Sequence, residues 1–475
     1  MNRSIRRVSV VAALMFLALL INITVAYFVR DPGLLDDPNN QRVLQAQFSQ
    51  PRGAILVGNT PIVSTQPSTG TFAYQRVYAN GPLYAPVTGY YSYIYGRSKL
   101  EQTYNQQLTG QDSPGLVDKI LASLTNKPPA GDSIQTTLNA KAQQAAWDGL
   151  ANRKGAAVAV DYTTGAILAY VSSPGFDPAP LSSANMNTEQ AAWKAGLADA
   201  DDPMADRAGQ EIYPPGSTFK LVTAAAALQN GWQTSQLVAA PSELVLPGTD
   251  TKLPNDTYCG GAQITMQQAL DVSCNTAFAN IGLSVGQEKL SAQAKAFGFG
   301  TSFGGDVNSV PSVFPSNLNQ SQVAMSAIGQ YDVAATPLQM AMVAAAIAND
   351  GVEMQPYFVS EVRGPDLSII SQHVPAKFGQ PISPVTAATL QDMMVSVVTQ
   401  GTGTQAQVPG LRVGGKSGTA QSDPSRPDYA WFTGFAADPH VAICVFVEDA
   451  GVANSEIGGS RTAGPIFKQI LEALR

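Results

Sequence analysis

The chain has 475 residues, enough for two or three domains with a large core. Charged residues are only 13 % of it and the net charge is −7, with no basic block beyond the first residues, which argues against a nucleic-acid partner. His373 and His440 are the only imidazoles, and Cys-x-x-Cys and His-rich clusters are absent, so no metal site and no Ser-His-Asp triad is expected; a serine enzyme here needs another base.

Val8 to Phe28 is a charge-free, largely apolar run of 21 residues, preceded by Arg3, Arg6 and Arg7 and followed by Asp31, Asp36 and Asp37. That length spans a bilayer as one helix, and the Arg cluster should stay in the cytoplasm, leaving the rest outside. The rival reading, a signal peptide cleaved near Thr24-Val25-Ala26, calls for a shorter apolar core. Arg30 to Gln50 reads as a polar stalk. Ile55-Leu56-Val57, a turn at Gly58-Asn59 and Pro61-Ile62-Val63 predict a short hairpin. Residues 64 to 110, rich in Tyr, Gly, Pro and Gln, predict an extended, partly β module, and a helix is expected from Ser113-Pro114 to Leu124.

A compact domain is expected from about Gly131. Ser133 to Leu138 reads as a strand, Asn139 caps a helix to Leu150, and Ala156 to Asp161 turns at Thr163-Thr164-Gly165 into Ala166 to Val171. Helices are expected for the next 220 residues or so, most clearly around Ser217 and over Thr265–Val272, Thr276–Val285, Thr336–Ala348 and Pro384–Val398. Strands return at Arg412–Gln421, Tyr429–Ala437 and Val441–Asp449, and a helix from Gly464 to Leu474 ends the chain. Strands first, helices in the middle and strands last predict an α+β fold whose antiparallel sheet is closed by its two ends across a helical insert.

Three stretches carry chemistry. In Tyr213-Pro-Pro-Gly216-Ser217-Thr-Phe-Lys220, Pro and Gly end what precedes, and the Ala-rich run that follows has no breaker until Asn230-Gly231, so Ser217 should open a helix. Ser217 and Lys220, three apart, then share a face. A Lys that loses its charge through burial and nearby cations can take the hydroxyl proton. The spacing alone is common, and a solvated surface Lys is the rival reading. Ser273-Cys274-Asn275 falls at a break between two helical stretches, where both polar residues either serve a site or merely cap the second helix. Gly414-Gly415-Lys416-Ser417-Gly418-Thr419 lies in the first returning strand, and Gly there marks a bulge or the close approach of another backbone. Such an edge can present N–H groups to a carbonyl oxygen while Lys416, Ser417 and Thr419 hold a carboxylate; the plain alternative is an ordinary edge strand with a protective Lys.

Ser-x-x-Lys, Ser-x-Asn and Lys-Ser/Thr-Gly in this order resemble the three motifs of penicillin-binding proteins and serine β-lactamases. Ala157-Val-Ala-Val-Asp161, Ser173-Pro-Gly-Phe-Asp-Pro178, Gly329-Gln330, Thr336-Pro-Leu-Gln-Met-Ala341, Gly401-Thr-Gly-Thr404 and Ala430-Trp-Phe-Thr-Gly-Phe435 are similar to the transpeptidase domain of class B members over about 155 to 472. Arg52-Gly53 and Val87-Thr-Gly-Tyr90 through Leu100-Glu101 resemble the pedestal of the actinobacterial penicillin-binding protein A group. The resemblance implies a five-stranded antiparallel sheet plus a helical subdomain over 151–475, a pedestal or dimerisation-like domain over 31–150, and a cytoplasmic tip and membrane anchor over 1–30.

It further implies a peptidoglycan D,D-transpeptidase, a target of β-lactam antibiotics, in the cell membrane with its catalytic domain on the extracytoplasmic side. Ser217 would attack the penultimate D-Ala carbonyl of a stem peptide and Lys220 take its proton. Backbone N–H groups of Ser217 and Thr419 would hold the oxyanion. Ser273, positioned by Asn275 and Lys416, would return the proton to the leaving amine, while Ser417, Gly418 and Thr419 bind the donor and an acceptor amine resolves the acyl-enzyme. No cofactor is implied, since the broken peptide bond drives the new one. A separate glycan polymerase of the shape, elongation, division and sporulation family is the implied membrane partner. Two positions depart from the usual pattern: Ser417 where many relatives have Thr, and Cys274 inside the second motif, which outside the cytoplasm can pair with Cys259 in a disulfide. Cys444 reads as a buried hydrophobe. A β-lactamase has no use for an anchor and a pedestal. A D,D-carboxypeptidase and a non-catalytic penicillin-binding sensor or division scaffold are the remaining alternatives.

Overall fold

The structure, a computed structural model, describes residues 3–25, 48–69, 72–110, 130–151, 153–421, 426–453 and 456–475. Helix α1 (Arg3–Val25) contains the apolar stretch Ile5–Val25, whose length and mean hydropathy of 2.6 suit a membrane span. Most of the expected stalk, and the helix expected at 114–124, lie outside the described residues.

Strands β1 (Ile55–Val57) and β2 (Thr60–Pro67) form the expected hairpin around Gly58, and β3 (Tyr74–Tyr78) adds to β2. The extended module expected after residue 64 is instead interrupted by helix α2 (Gly81–Thr88). Its prolines look like breakers, but Pro82 falls in the first turn, where its missing N–H has no partner to lose. Burial of seven of the eight residues outweighs Pro86 inside the helix. Strand β4 (Ser133–Thr136) pairs parallel with β1, setting Ile134 opposite Ile55, so it belongs to the pedestal sheet and not to the start of a separate domain.

Asn139 accepts hydrogen bonds from the Lys141 and Ala142 amides and so caps α3 (Ala140–Leu150). The expected hairpin follows as β5 (Lys154–Asp161) and β6 (Ile167–Ser173). The helical middle carries α4 (Met186–Ala198), α5 (Lys220–Gln229), α6 (Met266–Asp271), α7 (Asn275–Val285) and α8 (Pro337–Ala348). It is less purely helical than expected. Three-residue strands at 237–239, 243–245, 252–254 and 263–265 pair within it, each too short to leave a period in the sequence. Strands β7 (Val359–Arg363) and β8 (Ile369–Gln372) then reach back to complete the pedestal sheet, whose order is β8-β7-β4-β1-β2-β3.

After α9 (Pro384–Gln400) come β9 (Val413–Ala420), β10 (Tyr429–Ala436) and β11 (Val441–Asp449), then α10 (Gly459–Thr462) and α11 (Gly464–Ala473). The antiparallel sheet runs β9-β10-β11-β5-β6, so first and last strands of the domain meet in its middle and β9 is an edge. Alternation along β5 sends Ala156, Val158 and Val160 to one face and Ala157 and Ala159 to the other. The apolar helix α8 packs on the first face, tied by Thr433 Oγ1 donating to Met340 O at 2.8 Å. Helices α3 and α11 cover the second through Ala142, Leu150, Phe467 and Ile470. The site lies where β9 meets the start of α5.

Candidate active site

Ser217 sits in a tight turn, Gly216–Phe219, that runs into α5 at Lys220. Gly216 has φ 52°, and a Cβ there would fall 2.8 Å from Thr419 O, so only glycine lets the turn press against β9. From the strand side, a Cβ at Gly418 would lie 3.1 Å from Pro215 O and from Thr218 N. The two glycines bring the serine to the strand edge, the close approach expected from the glycines of β9.

Lys220 is fully buried. Its Nζ is 2.9 Å from Ser217 Oγ, 2.8 Å from Ser273 O, 2.7 Å from Asn275 Oδ1 and 3.2 Å from Ser273 Oγ. Burial pushes its pKa well down; the nearby Lys416 charge adds to this and Asp256 opposes it. A neutral amine has two N–H donors and one lone pair. The Ser273 carbonyl and Asn275 Oδ1 can only accept, so they take the donors and leave the lone pair to Ser217.

Ser273 stands between α6 and α7 at φ 58°. Neither Ser273 nor Asn275 caps α7, whose N-cap is Cys274 with no side-chain cap. Ser273 Oγ instead lies 2.9 Å from Lys416 Nζ, so one hydroxyl bridges the two amines. Lys416, also fully buried, donates to Ser417 O at 2.8 Å; burial lowers its pKa to about 7, against the pull of Asp256 and Asp271. Ser417 Oγ donates to Thr402 Oγ1 at 2.9 Å, and Thr419 Oγ1 accepts from Gly459 N at 3.4 Å.

Two cavities flank Ser217. One, of about 380 Å³, includes Ser273, Thr402, Ser417, Thr419 and Arg461 in its lining; the other, of about 100 Å³, includes Asn275, Gln330, Gln421 and Asp428. Asp256 lines both. Cys259 and Cys274 are joined in a disulfide, with Cα atoms 5.5 Å apart, and Cys444 is a buried free thiol. The disulfide links the loop of Asp256 to the second motif, and Asn255 supports it by accepting from Thr276 N at 2.9 Å. The arrangement therefore unites Ser217, Lys220, Ser273, Asn275, Lys416, Ser417, Gly418 and Thr419. Asp256, Thr402 and Arg461 were not singled out as site residues from the sequence. Thr402 lies in the Gly401-to-Thr404 segment; the other two carry no local signal beyond closeness to Cys259 and to Gly458-Gly459.

Residues 155–472 match the family described as the penicillin binding protein transpeptidase domain. The chain belongs to the penicillin-binding transpeptidase family. Residues 52–134 match the penicillin binding protein A dimerisation domain, so the pedestal too belongs to this class B type. The peptidoglycan D,D-transpeptidase PbpA of Mycolicibacterium smegmatis is 40 % identical over 496 aligned positions, covering 100 % of this chain and 99 % of the relative. The structure is similar to penicillin-binding protein A from M. tuberculosis as its ceftriaxone acyl-enzyme complex, with TM-score 0.87, 35 % identity and coverage of 90 % of this chain and 99 % of that one. The penicillin G acyl-enzyme complex of the same protein gives 0.84 and 36 % at the same coverage.

Proposed function

We propose that this chain is a peptidoglycan D,D-transpeptidase working through an acyl-enzyme on Ser217 and a target of β-lactams. The observation that carries this reading is the buried Lys220 Nζ, 2.9 Å from Ser217 Oγ, its own donors engaged by Ser273 O and Asn275 Oδ1. Ser217 Oγ attacks the carbonyl carbon of the penultimate D-Ala while its proton passes to Lys220. Backbone N–H groups of Ser217 and Thr419 receive the oxyanion. Ser273, hydrogen-bonded to Lys416, hands a proton to the leaving nitrogen as the C–N bond breaks, and D-Ala departs. The acceptor amine of a second stem peptide then attacks the ester by the same route in reverse, restoring Ser217. Ser417 and Thr419 seat the donor's terminal carboxylate.

The apolar α1 anchors the chain in the cell membrane, and its substrate puts the transpeptidase domain on the extracytoplasmic side. A separate membrane glycan polymerase of the shape, elongation, division and sporulation family supplies the strands. Intact mass after incubation with benzylpenicillin tests the site: one stable adduct is expected on the wild type and none on Ser217→Ala. A wild type without adduct overturns the reading. Incubation with a stem peptide and an acceptor amine should yield the cross-linked product; hydrolysed donor alone would make the enzyme a carboxypeptidase.

A further inference from the structure

A third cavity, of about 380 Å³, adjoins the larger one at Ser217, and the two share Thr257 in their linings. Along the loop that leaves the strand 252–254, Asp256 lines both Ser217 cavities and Tyr258 lines the third. The loop is braced at both ends. Asn255 donates through Nδ2 to Pro241 O at 2.9 Å and to Thr276 Oγ1 at 3.1 Å, and its Oδ1 accepts from Thr276 N. At the other end Cys259 is tied to Cys274. Only three residues lie between these anchors, so Tyr258 is held in place, yet it is 83 % exposed, more than any other large hydrophobic side chain among the described residues. Fixing that ring in water gives up apolar burial, whereas a ring already held in place takes a partner at little cost in ordering.

Cross-linking brings two peptides to one serine. In the acyl-enzyme the donor occupies the side of Ser417 and Thr419, so the acceptor must reach the ester from another opening. The cavity of about 100 Å³ is too small for a peptide, since pockets for ligands of that size usually reach about 300 Å³ or more; the third cavity does. Charge points the same way. Asp256 stands where the cavities adjoin and makes no ion pair among the described residues, so it complements a cationic amine arriving from that side. Resting on the acyl-enzyme reading, we propose that the Tyr258 cavity is the acceptor subsite: a second stem peptide lies against the Tyr258 ring, and its free amine is led past Asp256 to the ester on Ser217. Having lost one proton to water, the amine nitrogen bonds to the carbonyl carbon as the bond to Ser217 Oγ breaks. The proton it sheds on attack returns to that oxygen through Lys220.

The test uses full-length protein, a donor peptide ending in D-Ala-D-Ala and an acceptor stem peptide with a free side-chain amine at increasing concentration. Cross-linked product and hydrolysed donor are measured together, beside the rate of acylation by benzylpenicillin. Tyr258→Ala should raise the acceptor concentration for half-maximal cross-linking about 5- to 30-fold and lose more donor to water, while acylation keeps its wild-type rate. Tyr258→Phe, which keeps the ring, should stay near wild type. An unchanged half-maximal concentration, or slowed acylation in the Ala variant, overturns the assignment. A wild type that forms no adduct with benzylpenicillin, or only hydrolyses the donor at every acceptor concentration, overturns the transpeptidase reading instead.

Discussion

In the pedestal, Glu101 is fully buried between Arg52 and Arg76, with its two oxygens 2.6 and 2.8 Å from the guanidiniums. Beside Ser217, Lys220 and Lys416 are equally buried, yet the groups in contact with them are hydroxyl, carbonyl and amide oxygens. Burial acts against charge in both places, and the outcome differs. Around Glu101 the Arg76 and Arg52 charges overcome burial and hold the carboxyl below its ordinary range. The lysines make no ion pair among the described residues, and Asp256 and Asp271 only partly oppose burial, so both amines are pushed towards neutrality. Paired charge serves to fix a position, here joining β3 to the segments around Arg52 and Glu101. Unpaired amines lower the stability of the fold and gain a lone pair that can accept a proton.

That contrast breaks most visibly at Lys220. Lys220→Met should slow acylation by benzylpenicillin about 10²- to 10⁴-fold, the usual worth of a positioned base, while the urea midpoint stays equal or rises because a buried amine has gone. A variant that acylates at the wild-type rate ends the role of Lys220 as base. Glu101→Gln should do the reverse. It leaves two buried guanidiniums without a counter-charge and should cost about 3–5 kcal/mol in urea unfolding. Acylation by the fraction that stays folded should be unchanged; a stability within about 0.5 kcal/mol of wild type would show the cluster to be dispensable.

The site was legible where its logic is local. Ser217 and Lys220 meet because three residues make one helical step, and the glycines of β9 announced a backbone approach that Gly216 and Gly418 now explain. The five-stranded sheet was legible because its strands are long and apolar. What escaped depends on partners far along the chain. Helix α2 hid behind prolines that its position and burial make tolerable. Strands β7 and β8 lie in the catalytic half of the sequence, but β7 pairs with Ser133–Thr136 and β8 with β7, which joins both to the pedestal sheet. Asp256 and Arg461 are single exposed residues without periodicity, and only the folding of α10 and the disulfide loop around β9 brings them to Ser217.

The smallest effect expected is a shift in pH dependence, and it bears on how the unpaired lysines are balanced. Lys416 is lowered first by burial, to about 7, while Asp256 and Asp271 pull upward. A depressed amine loses its proton as pH rises through that value; Lys220 too is pushed well down, first by burial and then by the Lys416 charge. On the proposed route the protonated Lys416 supports proton return through Ser273, so acylation should decline above about pH 7. Asp256→Asn removes a carboxylate that raises the Lys416 value, and the declining limb should move to lower pH. Stability follows the opposite sign. Between about 7 and 10.5 the unfolded chain holds a proton on Lys416 that the folded chain has lost, so this group makes folding more favourable as pH rises. Lys416→Met should flatten that rise in urea titrations. If Asp256→Asn leaves the limb of the rate profile unmoved, that carboxylate is electrostatically remote from Lys416, and burial opposed by Asp271 sets the amine's proton affinity.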